Sequence, residues 1–326
     1  MRDTADGLSV TVIVPAHNAE HYLALSLEGL LASGFGPDDV IVFDDASKDA
    51  TRAVARSFGV RLQFSDQNLG AAGARNAAAR LASGDILLFV DADVVVHADV
   101  QHHIRRAFED ANTDAVVGAY DDAPARSETF SRLRNLLHHH VHQAAGPLPS
   151  FWTGLGAVRR SVFEKLGGFD PEQKMMEDIE FGIRLYHAGH TTILEPRMEG
   201  QHLKYWSLWD IIRTDTLHRA VPWTKLLRSP AGRDLPDTLN VSRKGKFSVL
   251  AAGLSLLSVG LLPFALAFAL VGFGFGLVVI AIANKSFLRF VANHDGLLTL
   301  PAALFLLWVH FSCAGLGYAA VRLGIL

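Results

Sequence analysis

Ile86-Leu87-Leu88-Phe89-Val90-Asp91-Ala92-Asp93 is the stretch that decides the fold. Five apolar residues in a row read as a strand buried on both faces, and the acidic triplet after them marks where it leaves the sheet. Working outward, similar short runs rich in β-branched residues predict strands at Val10–Val14, Val40–Asp44, Val60–Phe64 and Ala115–Ala119. Amphipathic patterns between them predict helices at Tyr22–Ala32, Thr51–Phe58, Gly73–Leu81 and Ala98–Asp110. Strands alternating with crossover helices build an α/β, Rossmann-like domain around a mostly parallel sheet. Several strands end in polar residues: Pro15-Ala16-His17-Asn18 after the first and Asp44-Asp45 after the second. In open α/β sheets ligands bind at that carboxyl edge.

The chain has 326 residues, room for one α/β domain and an appendage. A formal net charge of -3 offers no global field for nucleic acid, so no nucleic-acid partner is expected. Half of the residues are hydrophobic, and the excess lies after Lys246, where charges almost vanish. One cysteine, Cys313, excludes an intrachain disulfide or a thiolate metal cluster. Met1–Ser9 holds acidic residues and no apolar core, so the first domain is expected in the cytosol.

Beyond the first half, Ser127–His142 reads as a helix ending in His138, His139, His140 and His142, followed by a turn at Gly146–Pro149. Phe151–Val158 and Thr191–Leu194 read as strands, and Met176–Ala188 as a helix capped by Gly189. The chain then divides into an α/β domain over 1–203, an amphipathic interfacial segment over 204–246 and a transmembrane region over 247–326. Lys204–Arg228 interleaves Tyr205, Trp206, Trp209 and Trp223 with Lys204, Arg213, Arg219, Lys225 and Arg228, a mixture suited to a membrane surface. Phe247–Ala283 is about 55 Å long as helix, too long for one crossing, and reads as two spans turning near Pro263 or Gly272–Gly276. Lys285 and Arg289 sit in an amphipathic linker, and Leu297–Val321 reads as a third span. With Arg243, Lys244 and Lys246 they flank the spans, so positive-inside bias predicts an integral membrane protein with its α/β domain cytoplasmic, at the plasma membrane if bacterial.

Asp91 and Asp93, two apart at a strand end, can face one pocket and meet a hard cation such as Mg²⁺ or Mn²⁺. Alone, such a triplet also occurs in ordinary surface turns. Asp44-Asp45 and the following Ser47 and Asp49 suit helix capping, or a carboxylate that accepts a base N–H while His17 lines the base. Asn68-Leu69-Gly70-Ala71-Ala72-Gly73-Ala74-Arg75-Asn76 puts a small-residue turn at a helix start, where N–H groups and Arg75 can meet phosphate. Glu177 and Asp178 raise one another's pKa while a helix start lowers it, so they serve as a base near neutrality or merely complement the helix dipole. In the histidine run only His138 and His142 share a helix face, and with no thiolate nearby the run reads as a partly exposed, interfacial stretch rather than a metal site.

In order and spacing, Val12-Ile13-Val14-Pro15-Ala16-His17-Asn18, Phe43-Asp44-Asp45-Ala46-Ser47-Lys48-Asp49, Asn68-Leu69-Gly70…Ala74-Arg75-Asn76 and Phe89-Val90-Asp91-Ala92-Asp93 resemble the GT-A glycosyltransferases of family 2. Gly167-Gly168-Phe169-Asp170, Glu177-Asp178-Ile179-Glu180-Phe181 and Arg184-Leu185 extend the likeness over roughly residues 10 to 205. The resemblance implies a nucleotide-sugar donor, with Pro15, His17 and Asp45 at its base, although the family often carries an aromatic residue where His17 stands. It implies a divalent metal and diphosphate at Asp91 and Asp93, with His202 where many members place a histidine at the metal or diphosphate. It implies Asp178, beside Glu177, as the base that deprotonates the acceptor in an inverting transfer.

The expected function is transfer of a sugar from a UDP- or GDP-type donor to a lipid acceptor, most simply polyprenyl phosphate. Arg213 and Arg219 are the acceptor-binding candidates on the basic segment, joined by Trp152. A processive polysaccharide synthase is an alternative, but Gln201-His202-Leu203-Lys204-Tyr205-Trp206 lacks the Gln-x-x-Arg-Trp pattern of those enzymes. A catalytically silent nucleotide-sugar-binding membrane scaffold is another, opposed by the joint presence of Asp91, Asp93 and Asp178. The sugar, the nucleotide and the oligomeric state stay open.

Overall fold

A computed structural model describes residues 7–143, 146–232, 235, 242–260 and 262–326. The start of the acidic N-terminal stretch and much of 233–241, within the expected interfacial segment, lie outside the described residues. Among the described residues nine strands form one sheet: β1 Val10–Ala16, β2 Val40–Asp45, β3 Arg61–Ser65, β4 Ile86–Val90, β5 Val94–Val96, β6 Thr113–Tyr120, β7 Gly146–Pro147, β8 Leu155–Arg159 and β9 Thr191–His202. Their order is β3-β2-β1-β4-β8-β6-β9-β5, with β7 also against β9.

The α/β architecture holds, with a mixed sheet. β3, β2, β1 and β4 pair in parallel, as do β6 and β9. The β4–β8, β8–β6, β9–β5 and β9–β7 ladders are antiparallel. The parallel half is the Rossmann-like one, wound through α1 Leu23–Ala32, α2 Thr51–Ser57 and α3 Gly70–Ala79. β4 lies inside the sheet with all five residues buried, as its unbroken apolar run requires. α4 Val100–Glu109, α5 Thr129–Val141, α6 Arg160–Lys165 and α7 Glu177–His187 follow in the second half. β9 runs well past the expected Leu194, because bulged pairing to β6 carries it as far as Gly200 and beyond.

An aromatic cluster fixes α7 against the sheet. Phe181 of α7 packs 5.5 Å from Phe151, 5.3 Å from Phe163 and 5.2 Å from Phe169, ring centre to ring centre, and Phe89 of β4 meets Phe169 at 5.1 Å. Gly182 permits the approach: a Cβ there would collide with the Phe151 backbone nitrogen. The Gly167-Gly168-Phe169 turn is tied in by Asn76, whose side chain both donates to the Phe169 carbonyl and accepts from its N–H, and by Arg184, which donates to Leu166 and Gly168 carbonyls. Packing thus holds α7 against the sheet and this turn.

The chain falls into two compact units, Met1–Ala125 with His142–Lys204, and Arg126–Val141 with Tyr205–Leu326. In the second, α8 Leu208–Arg213, a π-helical stretch Thr214–Ala220 and α9 Val221–Arg228 run on from one another. α10 Arg243–Val259, α11 Leu266–Ala283, α12 Lys285–Asp295 and α13 Leu300–Arg322 complete it. Among the described residues two helical segments, Leu266–Ala283 and Leu297–Arg322, are long and apolar enough to cross a membrane, not the expected three. α10 falls short because its first turn is Arg243-Lys244-Gly245-Lys246, leaving Phe247–Val259, about 20 Å of helix, as its apolar part.

The break near Pro263, rather than the Gly272–Gly276 cluster, turns α10 back along α11. Those glycines serve packing: Gly272 faces Ser258 and Gly276 faces Ser255 at distances no Cβ would tolerate. Asn284 at the end of α11 donates to the Ser248 hydroxyl near the start of α10, so the cations at both ends share one side of the hairpin. Inside this unit Asp215 accepts from Arg134 at 3.0 and 2.5 Å and lies 2.7 Å from His310 Nδ1. Burial opposes its charge, but Arg134 and His310 hold Asp215 well below the usual carboxylate range. The histidine run is more packed than expected: His139 is buried and stacks on Phe290, and His140 meets Phe287 and Phe290.

Candidate active site

The first unit gathers its polar residues at the carboxyl ends of β1, β2 and β4. At β1, Pro15 is paired with Phe43 of β2, and His17 Nδ1 lies 2.6 Å from the Asp45 carbonyl oxygen. The Asp45 carboxylate accepts from the Leu69 and Gly70 N–H groups at 2.7 and 3.0 Å, closing the turn that opens α3. Asp44 is occupied by Arg52 Nε at 2.5 Å, and Asp49 accepts from the N–H of Thr51, the first residue of α2. Asn18 and Ala46, beside His17 and Asp45, hold left-handed backbone with φ of 50° and 59°. Met176, before Glu177, does the same at 65°, so the non-glycine residues of this conformation among those described flank the candidate site.

Deeper in, Arg75 of α3 is buried and bridges two acids. Its Nη2 donates to Asp91 Oδ1 at 2.7 Å and its Nη1 to Glu177 Oε1 at 2.5 Å. Each terminal nitrogen thus gives an N–H to a different carboxylate. Asp178 Oδ2 lies 3.3 Å from the Thr153 N–H and 3.4 Å from its hydroxyl, while Oδ1 accepts from the Ile179 N–H. The same loop holds the other acid's backbone, since the Asp91 N–H donates to the Gly154 carbonyl.

Burial is the main force on the α7 pair. It pushes Glu177 up to about 7, with the Asp178 charge adding to it and Arg75 opposing. Burial also raises Asp178, against the pull of Arg75 and the N–H bonds of Thr153 and Ile179. Asp93 moves the other way: burial disfavours its charge, but nearby His202 and Lys204 outweigh that and hold it low.

β5, which sequence periodicity missed because it spans three residues, makes this last contact. It pairs Val94 with His202 of β9, and the Leu203 N–H donates to the Asp93 carbonyl. His202 Nε2 lies 3.6 Å from Asp93 Oδ2. Tyr120, also unforeseen, stacks on His202 at 4.3 Å with 8° between the rings, and Trp152 meets Tyr120 edge-on at 4.8 Å. Trp152 folds over Gly154, where a Cβ would collide with the indole. Thr153, Tyr120 and Met176 carried no motif signal; only the strand pairing and the aromatic packing reveal them. Arg213 and Arg219 lie in the second unit, both exposed, with Arg219 4.0 Å from Asp215.

Among the described residues no three His, Cys, Asp or Glu side chains form a group able to hold a metal ion. Asp91, Asp93 and His202 are thus not a preformed cage. Their donor types still suit a hard cation that completes its shell with phosphate and water, the usual habit of Mg²⁺.

The mixed sheet with acids at its carboxyl edge defines a GT-A type domain. Residues 11–167 match the sequence model described as Glycosyl transferase family 2. It is 26% identical over 220 residues to "Probable glycosyltransferase YdaM" of Bacillus subtilis (strain 168), covering 61% of this chain and 52% of that protein. It is 36% identical over 91 residues to "UDP-Glc:alpha-D-GlcNAc-diphosphoundecaprenol beta-1,3-glucosyltransferase WfgD" of Escherichia coli, covering 27% and 36%. The chain thus spans about half the length of the first relative and about a third of the second. Its fold is similar to "Mannosyltransferase PcManGT from Pyrobaculum calidifontis in complex with GDP-Man and Mn2+", with a TM-score of 0.58 at 20% identity, over 97% of this chain and 88% of the other.

Proposed function

We propose that this protein transfers a sugar, with inversion, from a nucleoside-diphosphate donor to a lipid acceptor of the polyprenyl-phosphate type at the cytoplasmic face of a membrane. The observation that carries the chemistry is the meeting of Asp91, Glu177 and Asp178 around Arg75 at the sheet edge. His17, Pro15 and Asp45 take the base of the donor, and the Leu69-Gly70 turn, held by Asp45, shapes that pocket. Asp91 and Asp93, with His202, hold Mg²⁺ or Mn²⁺, which when bound offsets the charge of the leaving diphosphate. Asp178 takes the acceptor proton, and its raised pKa makes it a stronger base than an exposed aspartate. Thr153 orients its carboxylate; Glu177 shares the buried charge with Arg75.

A lipid acceptor is supported by the second unit. Leu266–Ala283 exposes most of its apolar side chains, with only 17% of that stretch buried, and bulk water is a poor solvent for such a surface. The cationic end of the α10–α11 hairpin fits the cytoplasmic side. Arg213, Arg219 and Trp152 serve the acceptor in this reading, with Trp209, 70% exposed, at the headgroups. α13 is a weaker membrane candidate, because Gly317 packs on Ala220 and the π-helical stretch covers part of its length. The name of WfgD, with its diphosphoundecaprenol-linked acceptor, fits the same class of substrate.

The test is to incubate the purified full chain with UDP- and GDP-sugars, Mn²⁺, and polyprenyl phosphate or a polyprenyl-diphosphate sugar, then follow label into organic-extractable product. Transfer to neither lipid, with turnover on a water-soluble acceptor, would refute the lipid reading and leave the donor chemistry standing.

A further inference from the structure

Arg75 is 5% exposed, and α3, which carries it, is anchored by both hydrogen bonds of Asn76 to Phe169. Its two terminal nitrogens bridge two elements that are distant in sequence, the end of β4 at Asp91 and the start of α7 at Glu177. Its Nε is buried without a hydrogen-bond partner, so the guanidinium is held by these two carboxylates and can re-aim when one of them is taken. Asp91 keeps a third of its side chain exposed, with only Oδ1 given to Arg75. One carboxylate therefore faces two claimants, the guanidinium behind it and any cation arriving in front.

We infer that Arg75 is a positioning residue that competes with the divalent cation for Asp91 and transfers its hold to Glu177 when the cation binds, so that filling the donor site tightens the start of α7. The inference rests on the reading of Asp91 and Asp93 as the cation site. By linkage, the cation loosens the Arg75–Asp91 contact as much as that contact weakens the cation. Sequence alone places Arg75 on phosphate; its two carboxylate partners give it a different task, within the protein.

The experiment is a Mn²⁺ titration of the detergent-purified full chain, read by the electron paramagnetic resonance of free Mn²⁺, with Mn²⁺ alone and with UDP or GDP added. Arg75→Met is expected to bind Mn²⁺ about tenfold more tightly, the scale of removing one neighbouring positive charge, while losing transfer. Arg75→Lys is expected to fall between it and wild type in both readouts. Glu177→Gln, which leaves Asp91 as the sole carboxylate hydrogen-bonded to Arg75, is expected to bind Mn²⁺ several-fold more weakly. A merely structural arginine would give weaker or unchanged Mn²⁺ binding in a folded Arg75→Met, and that result overturns the inference. Should Arg75→Met fail to fold, unchanged or tighter binding in Glu177→Gln overturns it. Absence of Mn²⁺ binding in the wild type, with or without nucleotide, removes the cation site itself and the inference with it.

Discussion

Replacing Glu177 with glutamine tests the electrostatics of the site through stability. Glu177 is pushed from 4.5 to about 7, chiefly by burial and the Asp178 charge. At 1.36 kcal/mol per pKa unit, ionising it in the folded protein costs about 3 kcal/mol. Between these two values the folded state holds a proton that the unfolded chain has lost. Stability therefore falls as pH rises through that window and levels off above it. The glutamine amide stands in for the protonated acid and removes this slope. Asp49, Asp85 and Asp295, whose pKa values are lowered, give the opposite slope at lower pH, but they are common to both proteins and cancel in the difference. Thermal melts of both proteins from pH 4.5 to 8 should show the midpoint of Glu177→Gln gaining on wild type by roughly 6–12 °C across the window. A difference that does not change with pH, or one that shrinks, would mean that Arg75 keeps Glu177 ionised throughout and that burial is not the controlling force.

Gly182→Ala should destabilise the protein by roughly 1–3 kcal/mol and reduce transfer, because the new methyl group meets the Phe151 backbone and pushes α7 off the aromatic cluster; urea midpoints and kcat check it. Asp215→Asn should cost roughly 3–5 kcal/mol by leaving Arg134 buried without its anionic partner, read as a lower melting temperature that Arg134→Met partly restores.

Much of the fold was legible because β1, β2 and β4 bury both faces and so write themselves as unbroken apolar runs, each ending in the polar residues of the site. His17, Asp45 and Asp91 stood out for that reason, whereas Glu177 opens α7 and stood out only as half of an acidic pair at a helix start. β5 was not legible, since three valines beside an acidic turn carry no period of their own and become a strand only against Gly200, Gln201 and His202 of β9. Nor was the role of Arg75 visible: the residue announces a cation at a helix start, but its partners Asp91 and Glu177 are 16 and 102 positions away. The number of membrane helices failed for a simpler reason. The turn expected near Pro263 is there, but α10 opens with Arg243-Lys244-Gly245-Lys246 and ends at Val259, so its apolar part is too short to cross.

The central claim is nucleotide-sugar transfer at the Asp91–Asp93 and Glu177–Asp178 edge, and the most direct measurement pairs binding with turnover in Asp178→Asn. With Mn²⁺ and the preferred sugar nucleotide, this variant should bind donor within a few-fold of wild type while its transfer rate falls by roughly 10²-fold or more. Transfer at a wild-type rate in a variant that still binds donor would contradict the account.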